Sequence, residues 1–290
     1  MTVASVLNDA IPLLTDAGID TSRLDAELLL AHVLHTSRGW LWAHREECVS
    51  PAAYAEFTRL LDARQSRTPL PYLLGVWEFY GRDFTVTPAV LTPRPETELL
   101  VEAVVAWARI HDARRLADIG TGSGAIAVTL ALELPSAEIV AVDISPEAVQ
   151  VASANVVRHG VVERITVFIG DLLHPLAIAD VPPIDALVAN LPYICDDELA
   201  QLMPEVRDHE PRLALAGGPN GLCVIHRLID AAPALLRPGG LLALEVGWQH
   251  GETEAAHLRV LGWDNVQIIT DYSGIPRHLL AERSESSGAG

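Results

Sequence analysis

Two stretches of the chain carry residue types with a chemistry of their own. One is Asn190-Leu191-Pro192-Tyr193. The amide oxygen of Asn190 can accept a hydrogen bond. Pro192 disfavours the helical region for Leu191, so the Leu191 carbonyl is held in extended backbone. Two such acceptors can hold a planar –NH2 group by both its hydrogens, and the Tyr193 ring offers a flat face to an amide or a base. The other stretch is Gly120-Thr121-Gly122-Ser123-Gly124, between Leu116-Ala117-Asp118-Ile119 and Ala125-Ile126-Ala127. Its glycines allow a sharp strand-to-helix turn and let a ligand lie against bare backbone. A second apolar run, Ile139 to Val142, ends in Asp143, 19 residues after Gly124. A carboxylate there can accept from both hydroxyls of a ribose. Gly170-Asp171-Leu172 supplies a further acid that could meet an adenine amino group.

Strand, loop, helix, strand and terminal acid together predict an adenosine-containing cofactor. Gly120-x-Gly122-x-x-Ala125 would also suit a nicotinamide nucleotide, so the choice rests on the Asn190 motif. Amide and aryl amino nitrogens are poor nucleophiles because their lone pair is delocalised. Fixed acceptors around the –NH2 favour a geometry that aims this lone pair at a sulfonium methyl. S-adenosylmethionine is therefore the expected cofactor, with catalysis resting on positioning and electrostatic complementarity. None of the four side chains at 190–193 is a general base near neutral pH. The residues leave open whether the acceptor is an amide or an adenine.

Alternating elements must carry these residues. Apolar strand-like runs fall at 115–119, 138–143, 164–169, 184–189 and 240–246, with helical stretches at 124–134, 146–159 and 221–236. This order predicts βαβ units and a mostly parallel sheet, whose ligands lie beyond the carboxyl ends of its strands. Upstream, Val3 to Leu14, Ser22 to Leu34 and Pro51 to Arg64 carry helical periodicity, and Ser50-Pro51 reads as a helix start. They predict a small N-terminal helical bundle. Trp77 to Val86, turning at Gly81-Arg82-Asp83, predicts a connecting β-hairpin. Pro93-Arg94-Pro95 then opens a helix, Glu96 to His111, with acids in its first turn.

Composition narrows the classes. Half of the 290 residues are apolar, and the formal charge is −18. All 20 basic residues are arginine, so a P-loop and a Schiff-base lysine are excluded. Residues 1–80 carry −4 and the remainder −14, the opposite of a basic nucleic-acid footprint. Direct nucleic-acid binding is not expected; a basic protein partner is. Cys48, Cys195 and Cys223 form no CxxC, and no metal is expected. His32 and His35 stand at a spacing that a metal pair can use, though an ordinary helix face accounts for it. No signal sequence and no membrane span is expected, and the expected location is cytoplasmic.

With these residues assembled, the chain resembles the HemK/PrmC family, the release-factor glutamine methyltransferases. The resemblance runs through Pro69-Leu70-Pro71-Tyr72-Leu73-Leu74-Gly75, Trp77-Glu78-Phe79-Tyr80-Gly81 and Thr92-Pro93-Arg94-Pro95-Glu96-Thr97-Glu98. It continues in His209-Glu210-Pro211, Gly217-Gly218, Gly221-Leu222, Pro238-Gly239-Gly240 and Leu244-Glu245. It implies a Rossmann-like class I methyltransferase sheet of seven strands with the last antiparallel. The implied divisions are a release-factor-binding bundle at 1–72, a hairpin linker at 73–91 and a methyltransferase domain at 92–283; the composition of 284–290 predicts a disordered tail. Carried over by position, Gly120, Thr121, Gly122, Ser123, Gly124, Asp143, Leu172 and Asn190 would contact S-adenosylmethionine, beside Asp171, which the residues themselves suggest. Asn190, Leu191, Pro192 and Tyr193 would hold the glutamine of a Gly-Gly-Gln loop in class 1 release factors. Arg94, Pro95, Glu96 and Thr97 would form the site wall. The family has Asn-Pro-Pro-Tyr where this chain has Leu191, a form closer to ribosomal RNA adenine dimethyltransferases. Adenine methylation in RNA or DNA, and a non-catalytic ribosome-associated module, are the alternatives.

Overall fold

The computed structural model describes residues 1–285. Of the tail expected at 284–290, residues 286–290 lie outside the described residues. The chain forms two compact units, Met1–Val76 with Met203–His209, and Trp77–Leu202 with Glu210 onward.

The first unit holds α1 (Val3–Asp16), α2 (Ser22–Val33), α3 (Arg38–Ala43), α4 (Pro51–Gln65), α5 (Leu70–Leu74) and, from later in the chain, α10 (Pro204–His209). Thr2 and Ser5 close a capping box on α1, and Ser50 caps α4. Val3, Val6, Ala10 and Leu14 make one buried stripe, which meets Ala26, Leu29 and Leu30 of α2 and Phe57, Leu60 and Leu61 of α4 in the core. Buried Arg64 donates to Asp25 at 2.7 Å and to Glu205 at 3.0 Å; Arg67 reaches Glu205 at 2.6 Å. No buried charge in this cluster is left unpaired, as its burial demands. α2 stops at Val33, and His35 lies beyond it with φ 50°. His32 and His35 are therefore not one turn apart on a shared helix.

From Trp77 the second unit takes in the rest of the hairpin of β1 (Val76–Phe79) and β2 (Arg82–Thr85), turned by Tyr80 and Gly81, both at positive φ. There follow α6 (Pro95–Ile110), β3 (Arg115–Ile119), α7 (Ala125–Glu133), β4 (Glu138–Asp143), α8 (Pro146–Arg158), β5 (Ile165–Ile169), α9 (His174–Ile178) and β6 (Ile184–Asn190). After α10 come α11 (Cys223–Ala231), β7 (Leu236–Glu245), α12 (Gly251–Val260), β8 (Asp264–Thr270) and β9 (Pro276–Glu282). The seven-stranded sheet has the order β5-β4-β3-β6-β7-β9-β8. Strands β3 to β7 pair in parallel, and β9 lies antiparallel between β7 and β8. The expected sheet, with its last strand reversed, is the sheet observed.

Side chains alternate across this sheet, so both faces carry a core. Leu116, Ile139, Val188 and Ala243 point to the layer of α6, α7 and the hairpin. Ala117, Ile119, Leu187 and Leu244 point to the layer that includes α11 and α12. Phe79 and Phe84 fix the hairpin to the first layer edge to face, 6.1 Å between ring centroids. The hairpin is also held by Asn155 of α8, which is fully buried. Its Oδ1 accepts from the Thr85 N–H at 2.8 Å; its Nδ2 donates to the carbonyls of Thr85 at 2.9 Å and Ser123 at 2.8 Å.

Truncating Asn155 would strand three backbone groups. Asn155→Ala is expected to lower the unfolding free energy of this unit by about 2 to 4 kcal/mol, measured by urea denaturation. A loss below about 0.5 kcal/mol would show that water replaces the side chain at little cost.

Candidate active site at the strand ends

Because β3 to β6 run parallel, the residues that follow them emerge on one edge of the sheet, and the glycine loop, Asp143, Asp171 and Asn190 gather there. They line a cavity of about 260 Å³. Its wall holds Gly120, Thr121, Gly122 and Ser123; Asp143, Asp171 and Leu172; Asn190, Leu191 and Pro192; and Arg94 and Thr97. Gly124, Tyr193, Pro95 and Glu96 do not line it.

Gly120 leaves β3 at φ 75°, and a Cβ there would stand 2.8 Å from Leu191 Cδ2. Glycine suits this conformation, and any side chain here would have to displace the Leu191 methyl. Gly124 caps α7 at φ 79°, pressed on Ala152, where a Cβ would lie 3.2 Å from the Ala152 Cα. Its place is in the turn behind the cavity. Asp143 accepts from the Gly122 N–H at 2.8 Å and the Ser145 N–H at 2.9 Å. Burial raises its carboxyl above the usual range, against these N–H groups, which lower it. Asp171 pairs with Arg227, which also lines the cavity. Ile144, half exposed, and Leu172 give the wall apolar surface near these acids.

At the end of β6, Asn190 Nδ2 donates to Thr97 Oγ1 at 3.1 Å. Thr97 Oγ1 donates to Glu245 Oε2 at 2.6 Å, and the Tyr193 hydroxyl to Glu245 Oε1 at 3.3 Å. Burial first, and then Glu245, push the Tyr193 phenol far above its ordinary value, so it stays protonated. Behind the motif, Gly217 and Gly221 lie against backbone: a Cβ at 217 would meet the Pro192 carbonyl at 2.7 Å, and one at 221 the Tyr193 carbonyl at 2.4 Å. Arg94 donates to Glu210 at 2.6 Å. Burial raises the Glu210 carboxyl, with Arg94 opposing.

The chain matches the PrmC N-terminal domain over residues 5–75 and a methyltransferase domain over 116–209. It is 45% identical to a release factor glutamine methyltransferase of Moorella thermoacetica, over 98% of this chain and 100% of that one. A second relative of that name, from Geobacter sulfurreducens, is 40% identical over 95% of each. The chain belongs to the release factor glutamine methyltransferase family. Among solved structures, the hMettl16 catalytic domain in complex with MAT2A 3'UTR hairpin 6 has a TM-score of 0.55 at 16% identity, covering 80% of this chain and 94% of that one. That likeness concerns the fold alone.

Three side chains hydrogen-bonded to residues of the cavity wall, Asp118, Glu210 and Glu245, have no site role in the sequence reading. A polar residue inside an apolar strand run was the available signal for Asp118 and Glu245, since such a residue needs a built partner. His226, Glu254 and His257 are, among the described residues, the group whose donor atoms lie close enough to hold a metal ion; none of them lines the cavity.

Asp118 is fully buried in β3, where its Oδ2 accepts from the Thr121 hydroxyl at 2.6 Å and the Ala127 N–H at 3.1 Å. Its Oδ1 has no partner. Burial lifts its carboxyl from 3.8 to about 7, against those two donors. The folded protein thus keeps a proton that the unfolded chain releases. The resulting cost is absent below about pH 4, grows as pH rises and is complete above about pH 7. Asp118→Asn keeps an acceptor for both donors and removes the ionisation. At pH 8 the variant should gain on the order of 2 to 4 kcal/mol over wild type relative to the same comparison at pH 5. Urea titrations at the two pH values measure it; an equal difference at both would show that Asp118 is ionised throughout.

Proposed function

We propose that this enzyme transfers a methyl group from S-adenosylmethionine to the side-chain amide nitrogen of the glutamine in the Gly-Gly-Gln loop of class 1 peptide chain release factors. The observation that carries the proposal is the union, in one cavity, of the glycine loop and Asn190 in a chain akin to these methyltransferases over nearly its full length.

The residues fit the cofactor. Bare backbone at Gly120 and Gly122, Asp143 at the end of β4, and apolar Ile144 and Leu172 form a cradle for an adenosine with a charged tail. Gly120 to Ser123 and Asp143 would hold the tail and ribose, with Asp171 and Leu172 at the base and Gly124 setting the turn. When bound, S-adenosylmethionine supplies an electrophilic methyl group on a sulfonium. Asn190 Oδ1 and the Leu191 carbonyl would each accept one hydrogen of the glutamine –NH2, and Arg94 and Thr97 would wall the acceptor side. Tyr193, held protonated, is no base; the surplus proton of the amide nitrogen leaves to solvent as positive charge builds on it.

The partner follows from charge as well as kinship. A chain of net −18 suits a basic protein better than a phosphate backbone. The bundle of residues 1–72 would engage the release factor, and the work would be done in the cytoplasm without direct nucleic-acid binding. Among the described residues no helix is long and apolar enough to cross a membrane. Leu191 favours the alternative, adenine methylation. Its side chain, however, is buried against Gly120 and leaves Asn190 and Pro192 in place.

Incubation with S-adenosylmethionine and a purified bacterial class 1 release factor, followed by peptide mass spectrometry, tests the proposal. A methyl group is expected on the Gly-Gly-Gln glutamine, reduced at least about a hundredfold in Asn190→Ala. Labelling of adenine in RNA or DNA instead, with that glutamine unmodified, would transfer the assignment to the alternative.

A further inference from the structure

Asn190 has two chemically opposite ends, an acceptor oxygen and a donor nitrogen, and only the oxygen is useful towards an –NH2. The two are nearly the same shape, so packing alone discriminates poorly between them. We propose that Glu245 is a positioning residue that dictates which end of Asn190 faces the acceptor. This rests on the assignment of Asn190 as the group that holds the –NH2.

Glu245 is the last residue of β7 and stands opposite Asn190 in the parallel β6–β7 register. It is 2% exposed, and Thr97 is 4% exposed. A carboxylate only accepts hydrogen bonds. The Thr97 hydroxyl has one proton, and the 2.6 Å contact commits it to Glu245 Oε2. Thr97 Oγ1 therefore offers Asn190 nothing but lone pairs, and Asn190 must answer with its nitrogen, at 3.1 Å. Its oxygen is left for the cavity that Asn190 lines. Direction thus passes from the carboxylate through one hydroxyl to the amide. Reversing Asn190 would set Nδ2 against the –NH2 and face Thr97 with an acceptor it cannot serve.

The same carboxylate takes the Tyr193 hydroxyl on its other oxygen, so both ends of Asn190–Tyr193 answer to Glu245. His278, opposite Glu245 on β9, lies 3.7 Å from Oε2. Neither of its ring nitrogens has a hydrogen-bond partner, so it does not compete for Thr97.

Glu245→Gln preserves shape but adds a donor that can reverse the chain of bonds. The expected result is a fall in kcat of roughly 10- to 100-fold, while the Kd for S-adenosylhomocysteine, by calorimetry, stays within about twofold. Thr97→Val should behave alike, Thr97→Ser should restore kcat to within about threefold, and the double variant Glu245→Gln/Thr97→Val should be no worse than the poorer single one. Unchanged kcat in both single variants overturns the proposal, as does a loss of cofactor affinity equal to the loss of kcat. The side-chain ¹⁵NH2 resonances of Asn190, identified by their loss in Asn190→Ala, give a readout that needs no turnover. They should shift in Glu245→Gln, and identical resonances would also overturn it. Should wild type methylate no glutamine, the assignment of substrate fails, and these resonances still decide the role of Glu245.

Discussion

The close approach of two loops at Gly120 makes one site of two motifs. The end of β3 and the end of β6 are neighbours in the parallel ladder, with Ile119 opposite Ala189. The turn after β3 then passes so near Leu191 that a Cβ would collide with its side chain. A molecule laid on that turn would lie beside Asn190, which lines the same cavity. Gly217 and Gly221 repeat the device on the far side of the motif, pressing one loop onto the carbonyls of Pro192 and Tyr193. Absence of side chains, more than their presence, sets the spacing of the site.

Around this meeting point three acids at strand ends pin the loops. Asp118 in β3 holds Thr121 and Ala127; Asp143 of β4 holds Gly122 and Ser145; Glu245 of β7 holds Thr97 and Tyr193. Each accepts from donors that would otherwise be left loose in a poorly solvated edge. Two are lifted above the usual carboxylate range by burial. The site's rigidity is thus built from groups that are costly to bury alone and acceptable only when their partners are in place.

Much of this was legible in the sequence because it depends on local pattern. Glycine spacing, acids at the ends of apolar runs and the proline at 192 placed the cavity wall at Gly120–Ser123, Asp143, Asp171, Leu172 and Asn190–Pro192. The strands at 115–119 and 138–143 have those bounds in the fold. Strand periodicity did not reveal β8, an edge strand whose residues are mostly exposed or half-buried, or β9, which begins at Pro276 and carries Arg277 and His278; the resemblance implied them. Nor could spacing show that Thr97 and Glu245, 148 residues apart, share a hydrogen bond. Arg94 and Thr97 face the cavity while Pro95 and Glu96 do not, a division set by the start of α6.

The place of β9 bears on how the chain is made. It is the last strand among the described residues, yet it sits inside the sheet, with β7 on one side and β8 on the other. Until it emerges from the ribosome, β7 and β8 each present an unpaired edge, a template for wrong pairing. The sheet is therefore completed only once the chain up to Glu282 has left the ribosome. A nascent chain stalled earlier would already hold Gly120 and Asn190 and still display two open strands, a ready target for chaperones and proteases.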